Sequence, residues 1–365
     1  MRAWQRWLAV GLGLAILLSL PSVLGALPAA DSDVGATELL EQVRDSGEVP
    51  FSGYAESVGG LQLPVTRDFT DLVDLFGERS RMRVWWRGSE DWRMDTLSAT
   101  GETDLFHRAG ATLMWDYEDN RATLSSDPDI RLPRTADLLP TELGRRLLSE
   151  ATAEEVTRIP PIRVAGRDAP GLRLQPADSR TTVDRVDVWV DPQSGLPLRV
   201  QVHGVGSDTA ALTSTFLELT VAPPSESDTS FITPTGAEFR FEDVIDVAAA
   251  ADQFAPAVAP DRLAGLDRRT DESTVGALGA YGRGVTLLAA VPIWDEISRP
   301  LRDQLEATPG ARIDEQGVYV SVGPLGLLLT PGSREQRSWL IAGTVTSQTL
   351  ADAATDVARI PVADG

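Results

Sequence analysis

An α+β fold is predicted: a highly curved antiparallel sheet packed on two or three helices over residues 37 to about 241, then a smaller C-terminal α+β domain. Three observations carry this. Period-2 alternation recurs from Ser80 to Ser126 and again from Val183 to Val202, as expected of half-buried strands. Turn residues fall between the alternating runs at hairpin spacing, and the few helical stripes are short.

The elements follow in order. Thr37 is placed to cap a helix with Leu39, Leu40 and Val43 on one face, and Gly47 to end it. Phe51 to Val58 reads as the first strand, with Pro64 to Phe69 continuing the sheet. Leu72, Leu75 and Phe76 then form a second helical stripe that would lie across an apolar sheet face. In the meander, Met82, Val84 and Trp86 alternate with Arg81, Arg83, Trp85 and Arg87, while Trp92, Met94 and Thr96 alternate with Arg93 and Asp95. Breaks are expected at residues 87–89, 99–101, 108–110 and 118–120. A helix follows from Thr141 to about Ala153 with Leu143, Leu147 and Leu148 apolar, and strands resume at Ile162. The strongest hairpin signal joins Val183–Asp191 to Leu196–Val202 through Pro192-Gln-Ser-Gly195, with Val186, Val188 and Val190 facing one way and Asp187 and Trp189 the other. Asp184, Asp187, Asp191, Arg185 and Arg199 read as its solvated face. Phe216 to Val221 supplies the last long strand.

From Val244 to Arg269 the composition shifts to Ala, Pro and Asp, as in a linker. Strand-like runs then appear at Val285–Val291, Gly317–Val322 and Ser338–Val345, with Pro300 in the first turn of a helix leading into Leu301 and Leu305. The chain closes on a strand running into a Thr/Ser-capped helix with Leu350, Ala354 and Val357 on one face. The domains expected are therefore 1–30 (targeting segment), 31–243, a linker at 244–262, and 263–365.

Composition excludes several functions. Arg and Lys total 33 against 54 Asp and Glu, a formal net charge of -21, so the chain repels phosphate backbones and no nucleic acid is expected as partner. There are no cysteines, hence no disulfide, thiolate metal site or Cys nucleophile. The two histidines, His107 and His203, sit in strand-like runs and read as strand-surface residues. No G-x-S-x-G elbow, P-loop, G-x-G-x-x-G or H-E-x-x-H is present, so no catalytic residue, metal or cofactor is assigned and the chain reads as a non-enzyme. Arg2 and Arg6 precede an apolar run from Trp7 to Leu20, the pattern of a secretory signal or an uncleaved anchor. Either one places everything after Ala30 outside the cytoplasm.

Several of these features together resemble a known family. The opening helix into Val49-Pro50-Phe51-Ser52-Gly53, the Trp-rich meander, the hairpin Asp191-Pro-Gln-Ser-Gly-Leu-Pro-Leu-Arg199 and the closing Phe231-Ile-Thr-Pro234 look like the lipoprotein-carrier fold shared by LolA, LppX-type lipoproteins and the RseB (MucB) sigma-E regulators. That resemblance implies a LolA-like half-barrel wrapped around helices, with an apolar cavity for acyl chains. The C-terminal unit resembles that of the RseB family, and simple LolA-type carriers lack one. The implied function is a lipid- or lipoprotein-sensing regulator that binds a membrane anti-sigma factor or similar membrane partner. The alternative is a plain lipid or lipoprotein carrier.

Strand parity and the helical stripe nominate the cavity wall: Leu72, Leu75, Phe76, Val84, Trp86, Trp92, Met94, Met114, Val188 and Val200. These aromatic and aliphatic side chains exceed what one or two short helices cover, so an apolar ligand between sheet and helices is expected.

Overall fold

The computed structural model describes residues 28–60, 79–97, 101–126, 133–241, 259–269, 278–293, 295–332 and 338–360. The Arg2–Leu20 segment, the stripe of Leu72, Leu75 and Phe76, and most of the Ala/Pro-rich linker lie outside the described residues.

Helix α1 (Ala36–Asp45) buries Leu39, Leu40 and Val43, the stripe its spacing predicts. Thr37 does not cap it; the N-cap is Gly35 in extended backbone, with no side-chain cap. The chain continues into β1 (Phe51–Gly59), then β2 (Arg79–Gly88), β3 (Asp91–Leu97), β4 (Glu102–Arg108), β5 (Ala111–Asp116) and β6 (Arg121–Ser126). Ala109 and Gly110 both take positive φ, as the tight turn joining β4 to β5 requires.

Helix α2 (Pro140–Leu148) starts on a proline and is shorter than the sequence suggests. A separate short turn follows it, opened by a capping box of Thr152 and Glu155 in which the Glu155 carboxylate accepts the Thr152 N–H at 2.9 Å. Strand β7 (Val156–Val164) begins before its prolines rather than after them. Among the described residues it pairs only with β8 (Arg167–Leu174), so Pro160 and Pro161 sit on an edge strand where a missing N–H is tolerated. Then come β9 (Val183–Val190), β10 (Pro197–Gly204) and β11 (Ala210–Thr220), six residues earlier at its start than expected.

Two antiparallel meanders, β1–β6 and β7–β11, meet where β11 pairs with β1. A further strand, β12 (Glu238–Phe241), runs parallel to β6 and completes a 12-stranded open sheet. Sequence reading did not foresee it. The sheet is strongly curved at one end: Cα atoms of β7 come within 8 Å of β11. Four strand spacings would separate these strands by about 19 Å in a flat sheet. The concave face holds α1 and α2 over Phe51, Met82, Val84, Trp86, Met94, Val188 and Val200 in a single core.

Two glycines permit this packing. A Cβ on Gly53 would fall 2.6 Å from the Glu218 carbonyl and 3.1 Å from the Phe216 ring. Gly195 has φ +73° in the hairpin turn, and a Cβ there would lie 2.4 Å from the Gln42 carbonyl of α1.

The second unit opens with a two-stranded hairpin, β13 (Arg262–Leu263) and β14 (Leu266–Asp267), inside the stretch read as linker; Leu263 and Leu266 are buried. Strands β15 (Gly279–Arg283), β16 (Thr286–Ile293), β17 (Arg312–Asp314), β18 (Gly317–Val322), β19 (Leu325–Leu329) and β20 (Ser338–Gly343) form an antiparallel sheet in the order β15-β16-β20-β19-β18-β17. Helix α3 (Asp295–Ala307) packs Leu301 and Leu305 on Val318, Val320 and Leu329. Its Pro300 is the sixth helical residue, not in the first turn as expected. Helix α4 (Ser347–Val357) lies on the opposite face against Leu288, Leu328 and Ile341, and Thr346 caps it by accepting the Thr349 N–H at 3.3 Å. No helix among the described residues is long and apolar enough to cross a membrane.

Candidate functional site

The strand register carries an aromatic row across the concave face. Trp86 faces both Phe51 and Trp92, and Trp92 faces His107. Cross-strand neighbours have Cβ atoms about 5 Å apart, so their rings stack. Phe216 meets Phe51 edge-on at 5.6 Å, and Phe51–Trp86, Trp86–Trp92 and Trp92–His107 stack at 6.0, 5.9 and 5.2 Å. Cations lie above the row: the Arg145 guanidinium is 5.6 Å from the Trp86 ring and that of Arg134 is 5.5 Å from Trp92. Trp86 donates its indole N–H to the Gly47 carbonyl at 2.9 Å, which ties the row to the turn after α1. Beside it, Arg44, Asp137, Glu142, Arg145, Arg146 and Ser149 line an open cleft of about 530 Å³.

Val84, Trp86, Trp92, Met94, Val188 and Val200 all point to this concave face and are 0 to 5% exposed in one contiguous core with α1 and α2. Met114 shares the face and is 36% exposed. The register runs Met94–Leu105–Met114 across β3, β4 and β5, and burial falls along it as the sheet leaves the described helices behind.

Two sequence expectations are corrected. His107 and His203 are buried rather than on the strand surface. His107 lies against Trp92 with Nδ1 at 3.1 Å from the Thr112 hydroxyl, because parity puts it on the concave face. Burial, then the nearby Arg185, push the His203 imidazole below its usual range. Asp187 and Asp191 are not a solvated hairpin face. Arg173 donates to both Asp187 oxygens at 2.6 and 2.8 Å, and Asp191 accepts the Ser194 hydroxyl at 2.6 Å inside the turn. The neighbouring strand β8 supplies Arg173 beside Asp187 on that face, which a hairpin considered alone does not show.

The junction between the two units was not legible beforehand. The β15–β16 turn, Arg283-Gly284-Val285, docks beside α2, and Val285 enters the core of the first unit. The Glu150 carboxylate accepts the Arg269 guanidinium and the Gly284 N–H, each at 2.5 Å, and Arg283 donates to Glu155 at 2.6 Å. Burial would raise both glutamates, but the Gly284 N–H with Arg269, and Arg283 in turn, outweigh it and hold them below the usual carboxylate value. Backbone bonds add to the junction: Thr182 N–H to the Thr344 carbonyl at 3.0 Å and Thr346 N–H to the Arg180 carbonyl at 2.8 Å. Between these contacts Leu147, Ala151, Leu174 and Val285 help line a cleft of about 290 Å³. No motif announces the junction, because its residues are more than a hundred positions apart.

No family model matches the chain, and no curated protein matches it in sequence. Among solved structures, MucB in complex with MucA(peri) superposes with a TM-score of 0.50 at 15% identity, over 87% of this chain and 97% of that one. The Pseudomonas aeruginosa MucA/MucB complex gives a TM-score of 0.50 at 15% identity, over 87% and 96%. A LolA superfamily protein from Nitrosomonas europaea aligns at 10% identity over 54% of this chain and 98% of its own, with a TM-score of 0.26. The chain thus has the fold of MucB along most of its length.

Proposed function

We propose that this protein is an extracytoplasmic regulator that binds a membrane anti-sigma factor, or a similar membrane protein, and whose hold on that partner is set by an acyl chain or lipoprotein on the concave face. The observation that carries the reading is the fold match over both units to a protein solved in complex with MucA(peri), at 87% coverage of this chain. Residues 31–243 are the ligand-binding half and 263–365 contribute to partner contact. The cavity wall proposed is Leu72, Leu75, Phe76, Val84, Trp86, Trp92, Met94, Met114, Val188 and Val200, with Leu105 and Met114 marking where an acyl chain first meets the sheet. A ligand changes partner affinity only through its different affinity for the free and bound forms. The junction beside α2 supplies the lever, since Leu147 and Ala151 belong to the concave core and line one cleft with the Arg283–Val285 turn. A coupling of about 1 to 3 kcal/mol suffices for a switch of roughly 5- to 150-fold.

The aromatic concave face equally suits a plain carrier, the second reading. The test separates them. Partner is captured from membranes, and its affinity is measured with and without a fatty-acyl probe, for the protein and for a truncation after Asp243. A regulator binds more weakly when truncated and responds to the probe. Equal binding by both forms, indifferent to probe, leaves the carrier. Protease treatment of wall-less cells checks location, with digestion of the bulk of the chain expected.

A further inference from the structure

The convex face of the large sheet carries a patch that the reading above does not use. Phe51, Ala55, Met82 and Val84 hold the concave positions of β1 and β2 in the core, so the alternate residues Ser52, Tyr54, Arg83 and Trp85 stand on the convex side. Tyr54 pairs with Arg83 of β2 on one flank and with Glu218 of β11 on the other, and Ser52 pairs in the same way with Trp85 and Thr220. Neighbouring strands lie about 4.8 Å apart, so the backbones of Arg83 and Glu218 are about 10 Å from each other with Tyr54 between them. Tyr54, Arg83, Trp85, Glu218 and Thr220 help line an open notch of about 420 Å³. A bulge in the β1–β11 register beside Tyr54 leaves Leu217 out of the pairing and 45% exposed.

Arg83 and Glu218 are both exposed, and among the described residues neither makes an ion pair or a side-chain hydrogen bond. Arg79 and Arg81 on the same face of β2 differ in this, since both donate to Glu56, at 3.1 and 3.3 Å. The row Arg83–Tyr54–Glu218 is complementary to itself. Turning a second copy over by a two-fold axis that runs along β1, between two facing sheets, sets Arg83 of each copy over Glu218 of the other and Tyr54 over Tyr54. An axis across the strands would set Arg83 against Arg83 and Glu218 against Glu218, so charge selects the first arrangement. A two-fold contact uses one patch twice, and one arginine with one glutamate thereby supplies two ion pairs and leaves neither charge over.

We propose that the convex face of β2, β1 and β11 is a docking surface for a second copy of this chain, joined about a two-fold axis along β1 with an Arg83–Glu218 pair on either side of Tyr54. Sheets stacked face to face lie about 10 Å apart, a gap that an extended arginine and a glutamate close between them while the tyrosines meet at the axis. Convex surfaces touch over a limited area, so the association belongs with the weak contacts that bury less than about 1,200 Å². The concave face lies on the other side of the sheet and is left as it is in the single chain.

Sedimentation equilibrium of the protein at about 10 to 300 μM, a range suited to weak association, should show the average mass rising from one chain toward two. Arg83→Glu and Glu218→Arg each turn both ion pairs into like-charge contacts and should weaken association at least about tenfold. Glu218→Arg also lowers the net negative charge, so a general charge effect would strengthen association instead. An equimolar mixture of the two variants restores opposite charges at both contacts and should associate as the wild type does. Both side chains are exposed, and recovery in the mixture shows that each variant is folded. A wild type that stays a single chain throughout, either variant associating as the wild type does, or a mixture that associates no better than its components overturns the proposal.

Discussion

Replacing Val285 by alanine tests whether the second unit is held through the core of the first. The side chain is 7% exposed and belongs to the cluster containing Leu148, Ala151 and Leu174, although its strand neighbours belong to the other sheet. Removing two buried carbons at about 0.8 kcal/mol each costs about 1.6 kcal/mol, before any contribution from the small cavity left behind. That loss falls on docking, because the rest of the turn stays paired in β15 and β16. Hydrogen exchange reads it directly at three junction amides, Thr182, Gly284 and Thr346, whose acceptors all lie across the junction. A docking loss of about 1.6 kcal/mol speeds their exchange roughly 15-fold if opening of the junction governs it. Amides of Val188 and Val200, deep in the β9–β10 pair, should not change. Uniform acceleration of both sets would mean that the two units open only together. No acceleration at the junction would refute the claim that Val285 anchors it.

Three further outcomes follow from the same geometry. Gly195→Ala places a side chain at φ +73° and against the Gln42 carbonyl; the conformation alone costs about 1 to 2 kcal/mol, and a urea midpoint equal to wild type would remove the proposed contact between the hairpin and α1. Glu150 and Glu155 have folded-state values below their ordinary 4.5, so their contribution to docking is present above that pH and is lost as pH falls through the folded values. The junction amides should therefore exchange faster at about pH 4 than at about pH 7 relative to intrinsic rates, and a Glu150→Gln, Glu155→Gln double variant should lose this dependence. Met114→Arg alters the exposed end of the Met94–Leu105–Met114 row; it should change stability by no more than about 0.5 kcal/mol yet abolish binding of a fatty-acyl probe in native mass spectrometry, and retained binding would move the ligand elsewhere.

Much of the architecture was legible because burial on one sheet face imposes a period of two. Met82–Val84–Trp86, Trp92–Met94, Val186–Val188–Val190 and Leu198–Val200 all lie on the face that parity assigned, and the Leu39, Leu40, Val43 stripe is buried as spaced. Turns at Ala109-Gly110 and Gly195 were marked by residues that adopt positive φ. Boundaries were less legible: β7 starts at Val156 rather than Ile162 because its prolines sit on an edge strand, and α2 ends at Leu148 before a separately capped turn.

What the sequence by itself determined is the local pattern, namely which residues share a face, where the chain turns, and which chemistries the absence of Cys and the shortage of His remove. Only the tertiary structure decided what each face meets. Asp187 became buried because Arg173 arrives from the neighbouring strand, and His107 because Trp92 lies beside it. Arg83, Tyr54 and Glu218 form one row only once β2, β1 and β11 are in register, and Val285 reaches the first core only because the two sheets are docked. Periodicity is written within a few residues of chain. Contacts such as Glu150 with Gly284, 134 residues apart, depend on how whole elements pack, and no local pattern encodes them.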